Sequence, residues 1–190
     1  MTDGGGRPVR HRRTARVLLL DEADRLLLLQ VSDGAAPGRR WWVTVGGGLE
    51  PGEDLRAAAR REALEETGIA LGDADLGAHV WTRRVIHGYS DRVVEQDEDF
   101  LLARLPAGAV VDGSGSDELA ARWFSTAELR ELPEATWPRD LADLFPGILA
   151  GGWVGEPRRL PDAVEDAPGA PSMAQVTTPA PSPPPSPSAT

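Results

Sequence analysis

From Gly47 to Ile69 the chain reads Gly-Gly-Leu-Glu-Pro-Gly-Glu-Asp-Leu-Arg-Ala-Ala-Ala-Arg-Arg-Glu-Ala-Leu-Glu-Glu-Thr-Gly-Ile, a tight loop feeding a helix crowded with carboxylates. Its glycines and Pro51 favour a turn, and Asp54 is suited to cap the helix by accepting from amides of its first turn. The helix should run to about Thr67. Gly68 can supply the left-handed residue that closes a helix, and β-branched Ile69 suits the strand or turn that follows.

On such a helix Glu62, Glu65 and Glu66 stand at i, i+3 and i+4, so their carboxylates converge on one patch. Leu55, Ala59 and Ala63 form an apolar stripe; Glu62 and Glu66 fall beside it, while Arg56 and Arg60 point elsewhere. Carboxylates gathered near a core repel one another unless a positive group neutralises them, and hard divalent cations take such oxygen ligands. Taken alone, the run Arg-Glu-Ala-Leu-Glu-Glu reads as a solvated acidic face partnered by Arg60 and Arg61. The fixed spacing of Gly47, Glu53 and Gly68 around it turns the balance toward a metal site, with magnesium as first choice.

These residues resemble the Nudix box of the Nudix hydrolase superfamily: Gly47, five residues, Glu53, seven residues, Arg61-Glu62, an apolar position, any residue, Glu65-Glu66, any residue, Gly68 and a final apolar residue. Ala63 is small for the first apolar position, a departure that touches helix packing and not chemistry. Arg122-Trp123-Phe124 with Glu128-Leu129 is similar to the strand and helix that end such domains. The resemblance implies that Glu62 and Glu66 are the main metal ligands, with Glu65 a further ligand or water-mediated contact and a carbonyl near Gly46 or Gly47 another oxygen. Mg2+ or Mn2+ would be the cofactor. Arg61 would hold a glutamate in place, as a bidentate guanidinium can. Glu53 would tune the site or act on the attacking water; which glutamate is the base varies across the family.

Further carboxylate candidates lie outside the box. Glu95 and Glu98 open a strand ending in Phe100-Leu101-Leu102, and Asp117 and Glu118 precede Trp123; Glu98 (catalytic) and Glu118 (metal) are favoured, although a solvated loop accounts equally well for each. For substrate, Arg39, Trp42, Trp81, Arg83 and Arg84 are candidates, since aromatic faces stack on bases and arginines hold phosphates. Strand alternation turns only one of Trp41 and Trp42 inward, and Trp42 is taken as the one left for substrate. His79 and His87 lack the helical spacing of a metal pair.

The remaining pattern suits one α/β domain, an α/β/α sandwich around a mixed β-sheet, as the resemblance also implies. Apolar runs at Ala15 to Leu20 and Arg25 to Val31 read as a hairpin. Strands are expected near Ala78 to Ile86, Phe100 to Leu105 and Ala121 to Phe124, and helices after Ser125 and around Arg139 to Ala150. The expected organisation is a flexible basic start at 1–12, the domain at 13–155, and a disordered Pro/Ala/Ser-rich tail at 156–190.

A net charge of −10 argues against broad nucleic-acid or membrane binding, which both need a positive surface. No apolar run approaches the length of a membrane helix and the start lacks a signal peptide's apolar segment, so a cytoplasmic location is expected. The reaction implied is metal-dependent hydrolysis of a diphosphate linking a nucleoside to another moiety: a nucleoside triphosphate, an oxidised nucleotide, ADP-ribose or a similar compound. The alternative is a module of the same fold that senses a nucleotide without turnover; the complete set Glu53, Arg61, Glu62, Glu65 and Glu66 favours the enzyme. An isomerase of isoprenoid diphosphates would need a catalytic cysteine, and the chain has none. Many relatives pair into dimers, so a homodimer stays open.

Overall fold

The computed structural model describes residues 2–3, 6–32, 38–105, 111, 120–151, 153 and 155–167. Among them run strands β1 (Val9–Leu20), β2 (Leu26–Ser32) and β3 (Arg40–Gly48), helix α1 (Leu55–Thr67), then β4 (Leu76–Gly88) and β5 (Val93–Arg104). There follow β6 (Ala120–Phe124), α2 (Thr126–Glu131), the short β7 (Thr136–Trp137), α3 (Leu141–Leu149), β8 (Arg158–Arg159) and β9 (Ala163–Asp166).

One mixed sheet takes all of these strands, in the order β6-β2-β3-β1-β5-β4-β8, with β7 beside β3 and β9 beside β4. Long apolar runs in β1 and β2 alternate between two buried faces, as strands covered on both sides must. Ala15, Val17, Leu19, Leu27 and Leu29 pack with Val45 against Ala58, Ala59 and Ala63 of α1. Leu18, Leu20, Leu26 and Leu28 face the other way, onto Leu129 of α2 and Leu141, Phe145 and Ile148 of α3. Helices therefore cover both faces of the sheet, which is the expected α/β/α sandwich. The expected β1–β2 hairpin is present, but its ladder is a single pair, Leu20 with Leu26. β1 spends its length instead against β5, in parallel from Val9↔Val93 to Leu20↔Arg104.

Both expected boundaries move outward. Val9 to Arg12 belong to the β1–β5 ladder and are not a flexible lead-in, because the parallel partner β5 begins at Val93 and needs them as its edge. At the other end β8 and β9 add to β4 in parallel, beyond residue 155. The sequence 158–166 is polar and reads as tail, yet it carries Glu165, which is 2 % exposed and accepts from Arg83 Nη1 at 2.8 Å and Nη2 at 3.3 Å. Arg83 Nε donates to Glu98 Oε2 at 2.7 Å, so one buried guanidinium is shared by two buried carboxylates.

Removing one side of a buried pair strands the other charge, at a cost of about 3–5 kcal/mol. Glu165→Leu and Arg83→Met are each expected to lower unfolding free energy in urea by about that much, and the double variant by clearly less than their sum. Additive losses would show that the two groups do not interact.

Candidate metal and catalytic site

Helix α1 forms as its sequence directs. Asp54 caps it by accepting from Ala57 N at 2.8 Å, and Gly68 closes it at φ 71° with its N–H donating to Leu64 O. Arg56 turns away to the carbonyls of Asp73, Leu76 and Gly77.

Arg61 gathers the acidic residues around itself. It grips Glu53 through two parallel bonds, Nε to Oε1 at 3.0 Å and Nη2 to Oε2 at 2.9 Å, and donates also to Glu62 Oε1 at 2.8 Å, Glu65 Oε2 at 3.1 Å and the Gly48 carbonyl at 2.9 Å. The hydrogen bond from Arg61 holds the Glu53 carboxyl below its ordinary range, and the carboxylates, Glu53 first, hold the Arg61 guanidinium still more firmly charged than usual. Glu53 further accepts from Glu50 N at 3.0 Å, which fixes the loop to the helix.

The glycines at the end of β3 let these groups meet the sheet. A Cβ on Gly47 would lie 2.5 Å from Glu62 Oε1, so the carboxylate occupies the place of the missing side chain. Gly46 stands at φ 125° beside β1, where a Cβ would fall 2.0 Å from the Ala15 carbonyl, and its N–H donates to Glu66 Oε2 at 2.7 Å. On the other side Arg16 Nη1 donates to the Gly46 carbonyl at 2.6 Å.

A cleft of about 360 Å³ opens here, lined by Glu62, Glu66, Gly46, Gly47 and Gly48 at one end and by Trp41, Val43, Tyr89 and Trp137 at the other, with Arg12, Arg16 and Arg92 along it. The aromatic end is a packed cluster: Trp41 and Trp137 have centroids 4.8 Å apart, and Tyr89 lies 5.7 Å from Trp137.

Substrate candidates outside the box fall largely elsewhere. Trp42 is buried edge-on against Phe124 on the α2/α3 side of the sheet, and Trp81 packs against Phe100 and Trp153 in the same core. Of Trp41 and Trp42 it is Trp41 that lines the cleft, beside Trp137. Counting by twos from Gly47 along β3 reaches Val45, Val43 and Trp41, so the parity of the strand carried this signal. Arg83 is committed to its buried carboxylates, Arg84 stands outside among Glu95 and Asp97, and Arg39 is exposed ahead of β3 away from the cleft lining. His79 lies 3.1 Å from Asp99, and Glu95 pairs with His11 at the surface. Asp117 and Glu118 lie outside the described residues.

Glu98 does not reach the cleft lining. It is 2 % exposed beneath the floor, taking Arg83 Nε, Gln96 Nε2 at 3.0 Å and Arg16 Nε at 3.3 Å. Burial alone would raise its carboxyl, but His87 at 3.5 Å and the charges of Arg16 and Arg83 outweigh this and hold it far below the ordinary carboxylate range. Its link to the site runs through Arg16, which spans Glu98 and the Gly46 carbonyl.

Comparison with known proteins agrees with this arrangement, the NUDIX domain family matching residues 10–145. The chain belongs to the Nudix hydrolase family. It is 32% identical over 143 residues to the uncharacterized Nudix hydrolase YvcI of Bacillus subtilis (strain 168), covering 73% of this chain and 84% of that one. A second Bacillus subtilis chain, provisionally named an 8-oxo-dGTP diphosphatase, is 31% identical over 115 residues, or 60% of this chain and 67% of its own. Among solved structures, the MutT protein of Bacillus halodurans superposes with a TM-score of 0.58 over 85% of this chain and 94% of its own, at 23% identity, a likeness of fold.

Enzymes of the Nudix hydrolase family generally use divalent metal ions. Among the described residues of this chain no three His, Cys, Asp or Glu side chains converge closely enough to enclose a cation, and Glu62 and Glu65 both accept from Arg61. The donors nevertheless fit one. Glu62 and Glu66 bring carboxylates to the same cleft wall as Gly46 and Gly47, which is the oxygen-only set that hard cations take. No described helix is long and apolar enough to cross a membrane.

Two outcomes follow from the glycines and from Glu98. Gly47→Ala is expected to fold normally while displacing the Glu62 carboxylate, weakening Mn2+ binding by calorimetry at least about tenfold; Gly46→Ala, which meets backbone, should instead lower the melting temperature. Since folding depresses the Glu98 pKa, the unfolded chain binds more protons, so this contribution to stability is present above about pH 5 and is lost as pH falls through the folded value. Urea midpoints should decline on acidification below about pH 5, and less steeply in Glu98→Gln.

Proposed function

We propose that Glu62 and Glu66 hold a divalent cation, Mg2+ or Mn2+, against the diphosphate of a nucleotide, and that the bond is cleaved by water. The carrying observation is the cleft wall on which Glu62, Glu66 and the side-chain-free backbone of Gly46 and Gly47 come together. A cation bound there would neutralise the diphosphate oxygens, favour an attacking water and stabilise charge on the leaving phosphate.

The protein's own part is to hold charge in position. Arg61 orients Glu53, Glu62 and Glu65 through its hydrogen bonds, so the carboxylates are organised without having to repel one another apart. Glu65 is exposed enough to take a water-mediated contact, and Glu53, both of whose oxygens accept from Arg61, is suited to tune the site by hydrogen bonding. Gly46 N–H fixes Glu66, and Arg16 fixes the Gly46 carbonyl from behind. The substrate class we favour is a nucleoside triphosphate or oxidised nucleotide, in keeping with the 31% identity to the chain provisionally named an 8-oxo-dGTP diphosphatase.

Glu62→Gln and Glu66→Gln should each reduce kcat by orders of magnitude with the melting curve preserved, because only the charge facing the cation changes. The assay is release of phosphate and nucleotide from a panel of nucleoside triphosphates, oxidised nucleotides, nucleotide sugars and ADP-ribose with Mg2+ or Mn2+. Undiminished turnover in either variant would remove that glutamate from the ligand set.

A further inference from the structure

Arg12 has no place in the box, yet it is the most distinctive cation of the cleft. Its neighbours there are already matched to carboxylates: Arg16 to Glu98, and Arg92 to Asp91 at 2.8 Å while lying over the Tyr89 ring. Among the described residues lining the cleft, Arg12 is a cation in no direct ion pair, drawn only at longer range by Glu98 and Glu62; its Nε donates to the neutral amide oxygen of Gln96. That bond is itself anchored, since Gln96 is 1 % exposed and its amide donates to Glu98 Oε1 at 3.0 Å. The side chain is exposed as a whole, held through its Nε and set beside another positive charge, Arg16. An arginine oriented through a buried neutral amide, with its terminal N–H groups left over, is a preformed partner for an oxyanion.

Its position relative to the metal wall is fixed by strand geometry. Gly47 and Gly48 present opposite faces of β3, as successive strand residues do. The missing side chain of Gly47 is filled by the Glu62 carboxylate, whereas a Cβ on Gly48 would lie 3.7 Å from Arg12 Cδ and 3.9 Å from its Nη1. Arg12 and Glu62 therefore meet adjacent glycines of one strand end, Gly48 and Gly47, and line the same cleft.

We propose that Arg12 binds a phosphate lying beyond the diphosphate that is cleaved, and so directs this enzyme toward triphosphate-type substrates over diphosphate diesters such as nucleotide sugars. The inference rests on the hydrolase reading for the identity of the first two phosphates. A triphosphate carries more negative charge than a diphosphate diester, and the surplus is what a cation at the metal wall leaves unmatched and Arg12 can take. A charge-assisted hydrogen bond of this kind supplies roughly 10- to 100-fold in affinity.

The test is calorimetric binding, in the presence of Mg2+, of inorganic triphosphate and diphosphate analogues whose bridging oxygens are replaced by methylene and cannot be hydrolysed. The full chain should bind the triphosphate analogue at least about tenfold more tightly than the diphosphate, and Arg12→Gln should abolish that preference while leaving diphosphate affinity and the melting curve unchanged. Arg12→Lys, which keeps the charge but loses the fork, should recover only part of it. No preference in the unaltered chain, or an equal loss for both analogues in Arg12→Gln, would overturn the proposal. Because no turnover is read, a preference that persists in a chain cleaving nothing would refute the hydrolase reading and leave Arg12 in place.

Discussion

The site depends on positions where the chain has nothing to put. Gly46 and Gly47 end β3 without side chains, and each absence is used differently: Gly46 lets two backbones approach, and Gly47 admits the Glu62 carboxylate. Ordinary side chains there would have separated α1 from the sheet and closed the cleft. The helix could then still pack through Ala58, Ala59 and Ala63, but its glutamates would meet solvent and not a backbone edge.

Once the loop is open, electrostatics decides its contents. Several carboxylates crowd a partly dry wall, which is tolerable because Arg61 contacts three of them and a carbonyl at once. A second arrangement of the same kind lies under the floor, where Arg83 and Arg16 share Glu98. The two differ in purpose. Arg61 is accessible enough for its carboxylates to turn toward a cation, whereas the buried group has no ligand to gain and serves as a rigid support from which Arg16 reaches Gly46.

The box, its helix, both caps and the layered sheet were legible because each is written in local spacing: Asp54 and Gly68 bracket the helix, and alternating runs mark the strands. What failed to show was pairing at long range. Arg12 stood in a basic start with no pattern of its own, and only the register of β1 on β5 makes it a neighbour of Gln96. Trp41 and Trp42 were equally plausible by type, and the parity leading from Gly47 along β3 separates them. Glu165 sat in a stretch whose composition resembles a tail, so its burial beside Arg83 could not be seen without β4 and β9 side by side.

That last contact changes what the end of the described chain can do. A terminal strand held only by backbone bonds would normally fray, opening and closing at little cost long before the rest of the molecule yields. Here, peeling β9 away would withdraw Glu165 from Arg83 and His87 and leave the guanidinium half-matched inside the protein. Release of β9 is therefore tied to breakdown of the interior. The amides of β9 should exchange with solvent on the timescale of global opening, and a protease should find no early foothold there.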